Sequence, residues 1–397
     1  IRVIEKDEWL SAAGTSLGAD NGVGCAMALC IAPEKDFKHG PLELLFTAEE
    51  ETGMHGVQRL SPNLIAANMK FAINLDFEAE DYICIGGAGG LVINSEARLK
   101  TESHAPGEPF SIWKLQARGV QGGHSGNDID ARPQNLHQHL FSIIKQLNAC
   151  LLEYQGGEAI NSIPSHADLI LAFPRSEDER ARDALARYAD SFSALYAHAG
   201  GLPALKFEPL TESDSEKQFE CLARPMTSLL ADAVSSLPNG VISRHARLGG
   251  NPCTSSSIGT VQLSPGGHLQ VGIVVRSDNE SEMAAIGDSI FETLGKIPAI
   301  SFKTDKYPAW QPDENAPIVR HCQHQRKNLF SKEATLISVH AGLECGLLAA
   351  KYPGLQFVSI GPNIKDVHST RERVSIESMH RVYAWLKAII SDIGDIH

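Results

Sequence analysis

The chain has 397 residues, 43% of them apolar and 21% charged, a balance typical of a folded globular protein and not of a disordered one. Its 35 Lys and Arg against 48 Asp and Glu give a net charge of −13, which excludes the basic footprint of a sequence-independent nucleic-acid binder. No apolar run reaches the ~18–20 residues of a membrane span, and the N-terminus IRVIEKDEWL lacks a signal-peptide pattern.

In chain order, residues 21–32 carry Val23, Met27 and Cys30 at helical spacing. Residues 42–46 and 71–75 read as buried strands, and the Gly-Gly-Ala-Gly-Gly run at 86–90 punctuates the chain. Strands separated by helices predict an α/β layer with a mainly parallel sheet over 1–90. Residues 91–308 differ. Alternating segments at 112–117 and 169–173 are followed by helical patterns at 134–147 and 177–188, and 269–276 followed by 283–294 repeats the strand-then-helix order. That pattern predicts an α+β insert of two halves. Residues 309–397 return to the first style, with a buried strand at 356–360 and a closing amphipathic helix at 376–390. The length therefore resolves into a split α/β domain, 1–90 and 309–397, interrupted by a second domain.

The eight cysteines have no Cys-x-x-Cys spacing, which favours core thiols in a reducing cytoplasm over a disulfide framework. Sixteen histidines is a high count, and several sit beside Gly, Ser or acidic residues. The pairs His137-x-His139 and His321-Cys322-x-His324 read as surface residues of helices.

The acidic residues of the first domain fall at strand ends. Asp20 lies where a helix begins, Glu49-Glu50-Glu51 follow the predicted strand ending near Phe46, Asp76 follows the strand ending at Leu75, and His368 lies after the strand at 356–360. Ligands of open α/β sheets gather at the carboxyl ends of strands. Carboxylates delivered there repel and shift their pKa values unless a cation neutralises them, and a mixed Asp/Glu/His set suits zinc or manganese better than calcium. Each residue alone is more often a helix cap or turn former, a solvated helix start or a surface histidine than a ligand.

Whole motifs narrow this. Leu-Gly-Ala-Asp-Asn-Gly at 17–22, Glu-Glu-Thr-Gly-Met at 50–54, Ile-Asn-Leu-Asp at 73–76, Gly-Gly-His-Ser-Gly at 122–126, His-Ala-Gly-Leu-Glu-Cys-Gly at 340–346 and Ser-Ile-Gly-Pro…His-Ser at 359–369 occur in one order. Together they resemble the PepD-type Xaa-His dipeptidases (aminoacyl-histidine or cytosol non-specific dipeptidases) of the co-catalytic di-zinc metallopeptidase superfamily. The resemblance implies a split zinc-peptidase catalytic domain around a large α+β lid of two ferredoxin-like halves. It implies two divalent metal ions, zinc with manganese or cobalt as alternatives, and hydrolysis of unblocked dipeptides by a metal-activated water. By the same resemblance Asp20 bridges the metals, Glu51 and His368 bind one, Asp76 binds the other, and Glu50 is the general base. In the lid, His124 would reach the scissile carbonyl oxygen and Arg276 would clamp the free carboxylate, while Glu344 would face the α-amine. A cis Asp20–Asn21 peptide is implied as well. Lids of this superfamily dimerise or fold over their own site, so a homodimer is one expectation.

One element of the pattern has no counterpart. The family's first metal ligand lies in a His-x-Asp motif upstream of the Leu-Gly-Ala-Asp-Asn-Gly loop, but the chain begins at Ile1, without Met, and no histidine precedes Leu17. The expectation is that an N-terminal segment of the family pattern is absent, that one metal binds better than two, and that peptidase activity is low or nil. Two other readings compete: an amidohydrolase of N-acyl amino acids, against which the long 91–308 insert argues, and a non-catalytic relative. A serine hydrolase is poorly supported, since Gly123-His124-Ser125-Gly126-Asn127 lacks the final glycine of the elbow, and 86–90 is no P-loop, since it lacks a following Lys-Ser/Thr.

Overall fold

The computed structural model describes residues 1–395 apart from 35–36, 106–108, 133, 198–200 and 211–217. The chain forms two compact units, one of Ile1–Gly89, Ala246–Asn251 and Pro308–His397, the other of Gly90–His245 and Pro252–Tyr307.

The first unit is built on a four-stranded sheet in the order Thr335–Val339, Tyr82–Gly87, Gln356–Ser359, Phe71–Asn74. Two of its pairings are parallel, and the central contact between Gln356–Ser359 and Tyr82–Gly87 is antiparallel. Side chains alternate across the pleat, so Ile83, Ile85 and Val358 enter one core and Cys84 and Phe357 the other. Both faces are covered, which is why these strands read as continuous apolar runs. Helices Pro317–Phe330 and Ile376–Asp392 supply Ile318, Cys322, Trp385 and Ile389 to the first core; Glu344–Lys351 supplies Cys345 and Leu348 to the second. Fully burying a side chain such as Ile83 contributes ~1.5–3 kcal/mol. The closing helix starts where the Ser375 side chain accepts the Ser378 N–H, and its Val382, Leu386 and Ile390 pack on Met27 and Ile31 of helix Ala19–Ile31. A smaller sheet joins Val3–Lys6, Trp9–Ala12, Arg373–Ser375 and Ile364–Lys365.

The second unit has a nine-stranded sheet among the described residues. Ala204–Pro209, Phe110–Arg118, Ala167–Pro174 and Cys150–Gly156 make one half; Pro252–Ser264, His268–Ser277, Gly89–Arg98 and Ser301–Tyr307 make the other, with Gly240–Arg244 beside Pro252–Ser264. Val261, Gln262 and Leu263 pair antiparallel with Gly156, Gln155 and Tyr154, so the halves share one sheet. Helices Leu136–Leu147, Arg224–Ser236 and Glu280–Leu294 bring Leu140, Leu230 and Ile290 into its core.

Two sequence readings need correction, and a third gains detail. Residues 42–46 form no strand; Leu42, Leu44, Leu45 and Phe46 are 36–48% exposed. An apolar run becomes a buried strand only if a neighbour takes its backbone hydrogen bonds, and the sheet order ends at Phe71–Asn74 without reaching this segment. The four glycines at 86–90 all lie in strands, and the run does punctuate the chain, since the two units divide between Gly89 and Gly90. A Cβ on Gly90 would lie 2.3 Å from the Tyr307 ring, so closeness of packing selects glycine there. His137 is fully buried, 2.8 Å from the Tyr154 hydroxyl, and burial lowers its pKa to about 4. It is a core histidine and not a surface one.

Candidate active site

Asp20 sits in the first turn of helix Ala19–Ile31, on the N-terminal side of a cis Asp20–Asn21 peptide, with non-helical backbone at both residues. Its loop is held from the far end of the chain: buried Glu372 accepts the Gly18 N–H at 2.7 Å and the Asp20 N–H at 3.0 Å. Asp76 follows the Phe71–Asn74 strand, where the Asn74 carboxamide oxygen accepts the Asp76 N–H at 3.0 Å. Glu50 and Glu51 lie in a turn bounded by left-handed Glu49 and Met54, and His368 occupies a left-handed position beyond Ile364–Lys365.

These segments converge. His368 Nε2 lies 3.1 Å from Asp20 Oδ2 and 3.0 Å from Glu51 Oε2. The Asp20 carboxylate raises the pKa of both Glu51 and Asp76, so it stands close to each of them. The electrostatics register the crowding. Burial, then Glu51, Glu344 and Asp20, raise Glu50 to about 7, and burial, then Asp20 and Glu50, raise Asp76 to about 8. Burial opposes protonation of His368, but Glu51 and Asp20 hold its pKa above the ordinary value.

A divalent cation fits this donor set. One ligand atom each from Asp20, Glu51 and His368 lies within 4.8 Å of the others, and zinc bonds of ~2.0–2.2 Å put tetrahedral ligands roughly 3.3–3.6 Å apart. Carboxyls kept protonated toward neutrality by one another are what a cation would relieve. Glu344 belongs to the same unit. It is 8% exposed, its Oε2 accepts the Thr47 hydroxyl at 2.9 Å, and its Oε1 is buried without a hydrogen-bond partner among the described residues.

The second unit brings His124 and Arg276 together, with Arg276 Nη2 3.4 Å from His124 Nε2. His124 Nδ1 accepts the Gly126 and Asn127 N–H groups at 3.3 and 3.2 Å, so the ring proton sits on Nε2. Burial and then Arg276 lower the His124 pKa and keep the ring neutral. Two N–H donors thus face each other and need an acceptor between them. Arg276 is 6% exposed and hydrogen-bonds Tyr307 and Ser125 hydroxyls; it makes no ion pair among the described residues.

The pattern of the Peptidase family M20/M25/M40 matches residues 2–392. The chain belongs to that family. It is 32% identical to the cytosol non-specific dipeptidase of Escherichia coli (strain K12) over 391 residues, 97% of this chain and 78% of that protein. An aminoacylhistidine dipeptidase from Vibrio alginolyticus superposes with a TM-score of 0.85 at 27% identity, over 100% of this chain and 79% of that one. The aminopeptidase PepT of Bacillus cereus shares the fold, with a TM-score of 0.56 at 15% identity over 99% of this chain and 76% of that one. Glu372 and Asn74, which hold the Asp20 and Asp76 loops, were not singled out from sequence. A buried acid in a turn and an Asn two residues before an Asp are local features whose partners only the tertiary structure supplies.

Proposed function

We propose that the chain is a metal-dependent dipeptidase for unblocked dipeptides, of broad Xaa-His type, working in the cytoplasm. The observation that carries the reading is the convergence of Asp20, Glu51 and His368, from three distant segments, on one donor cluster beside Asp76 and Glu50. Asp20, Glu51 and His368 would hold one cation, and Asp20 with Asp76 would hold a second. Zinc in such a site supplies Lewis acidity and lowers the pKa of water. Glu50, half-buried among acids, accepts the proton of the attacking water on its carboxylate and returns it to the leaving amine. The names of the E. coli and Vibrio relatives support the dipeptide class. Eight free cysteines, six of them buried, support a reducing compartment. No helix among the described residues is long and apolar enough to cross a membrane.

Substrate polarity follows from two uncompensated buried charges. A buried guanidinium with only hydroxyl partners attracts a carboxylate, and a buried carboxylate with a bare oxygen attracts an ammonium. Arg276 therefore suits a substrate carboxylate and Glu344 a free amine, while the His124 Nε2–H suits a carbonyl oxygen. An N-acyl amino acid has no amine for Glu344.

Three protein ligands serve one cation and two the other, so this centre should bind one zinc tightly and a second weakly, with slow turnover. The test combines zinc titration with hydrolysis of β-Ala-His, Ala-His and N-acetyl amino acids. Expected are one zinc held tightly by Asp20, Glu51 and His368, the tight zinc that His368→Gln removes, and slow dipeptide cleavage, abolished by Glu50→Gln with zinc binding retained. Preferential cleavage of N-acetyl amino acids would overturn the dipeptidase reading. Two tight zincs at this centre, both lost in His368→Gln, with rapid turnover of the unsubstituted chain, would overturn the ligand assignment instead.

A further inference from the structure

The second unit carries another set of metal-type donors. Strand Gly240–Arg244 ends one residue before His245, Cys253 lies near the start of Pro252–Ser264, and Asp278 directly follows His268–Ser277. These strands are antiparallel neighbours, with Arg244 opposite Pro252 and Thr254 opposite Ser277. The register delivers the imidazole, the thiol and the carboxylate to one end of the sheet.

Their contacts are close. His245 Nε2 lies 2.6 Å from Asp278 Oδ2, and Cys253 Sγ donates to Asp278 Oδ1 at 3.1 Å. One ligand atom from each lies within 4.8 Å of the other two. The side chains of Asp278 and His245 are 3% and 16% exposed, so the cluster is enclosed but reachable from the His245 side. The nearby Glu282 carboxylate is engaged elsewhere, accepting the Ser243 and Thr254 hydroxyls at 2.5 Å each.

We propose that His245, Cys253 and Asp278 form a binding site for a borderline-soft divalent cation of the zinc class. Thiolate and imidazole select zinc or cobalt over calcium or magnesium. A neutral imidazole, a thiolate and a carboxylate carry two negative charges, so a divalent cation makes a neutral assembly, the state that burial favours. Binding breaks the Cys253 S–H bond and forms a metal–sulfur bond, and the proton passes to solvent. His245 binds through Nε2 with its ring proton on Nδ1, and no electron moves. The bound ion ties together the ends of the segment 246–251, which leaves this unit after His245 and returns at Pro252.

The probe is cobalt(II) added to the metal-free chain. The donors at Asp20, Glu51, Asp76 and His368 contain no sulfur, so a thiolate-to-cobalt absorption band in the near ultraviolet reports the new site alone. Expected is a band whose amplitude at saturation corresponds to one thiolate-bound cobalt per chain. It should survive His368→Gln and a Cys25→Ser/Cys30→Ser double variant and be lost in Cys253→Ser. Absence of the band, or its persistence in Cys253→Ser, overturns the proposal. Because Cys253→Ser could simply fail to fold, X-ray absorption of the unsubstituted zinc-loaded chain gives a second reading: a sulfur shell at about 2.3 Å is expected, and a shell of only nitrogen and oxygen overturns the site.

Discussion

Asp76 keeps its proton to about pH 8 because it is buried and because Asp20 and Glu50 stand beside it. In the unfolded chain an aspartate gives that proton up near 3.8, so between these values the folded state binds more protons than the unfolded one. The sign follows: the group's contribution to stability is complete below about pH 4 and is lost as pH rises through about 8. The melting temperature of the chelator-treated chain should therefore fall across that window, and Asp76→Asn should flatten the fall while weakening zinc binding. Thermal scans at several pH values check this; equal slopes in the two proteins would contradict it. Glu50 adds to the same trend, with its proton held to about 7. Zinc added below neutrality should displace protons from these acids, which calorimetry in buffers of different ionisation enthalpy would register.

At the scale of elements, the site depends on loops fixed by residues that touch no cation. Glu372 takes two backbone N–H groups of the Asp20 loop with its two oxygens, from just before the Arg373–Ser375 strand that hands the chain to the closing helix. It orients Asp20 as outer partners orient metal ligands elsewhere, where their loss lowers affinity about 10–100-fold. Glu372→Ala should weaken zinc binding by that factor, and Glu372→Gln, which keeps one carbonyl acceptor, by less. Calorimetric titration measures both, and unchanged affinity in Glu372→Ala would remove Glu372 from the account. The closing helix itself was legible to within about two residues, because its apolar positions recur at helical spacing and Ser375 caps it. Residues 42–46 show the opposite case. Their pattern is that of a strand, but a strand is a property of two segments, and no local rule supplies the second.

Over the whole molecule, the division of labour is chemical. The first unit gathers acids that call for cations, and the second presents His124 and Arg276, donors that call for an acceptor. Asp20 and His368 are 348 residues apart in sequence, and their meeting was legible only because each lay in a motif with its own resemblance. Where no motif existed, distance concealed the pairing. His245, Cys253 and Asp278 went unremarked, since scattered single residues carry no spacing signal. His137 was misplaced for a related reason, because its Tyr154 partner comes from the neighbouring strand and not from its own helix.

The bare ribbon at 42–46 has a consequence for handling the protein. Leu42, Leu44, Leu45 and Phe46 turn 36–48% of their surface to water, and the first unit's sheet ends in the short Phe71–Asn74 strand. Glu43 is the one charge within this run, and apolar runs with little charge beside open sheet margins are the usual seeds of precipitation, because each molecule can complete its neighbour's ladder. Light scattering of concentrated solutions should rise with time and concentration. A Leu44→Lys/Phe46→Lys double variant should suppress that rise while leaving zinc affinity intact, and equal turbidity in the two proteins would place the sticky surface elsewhere.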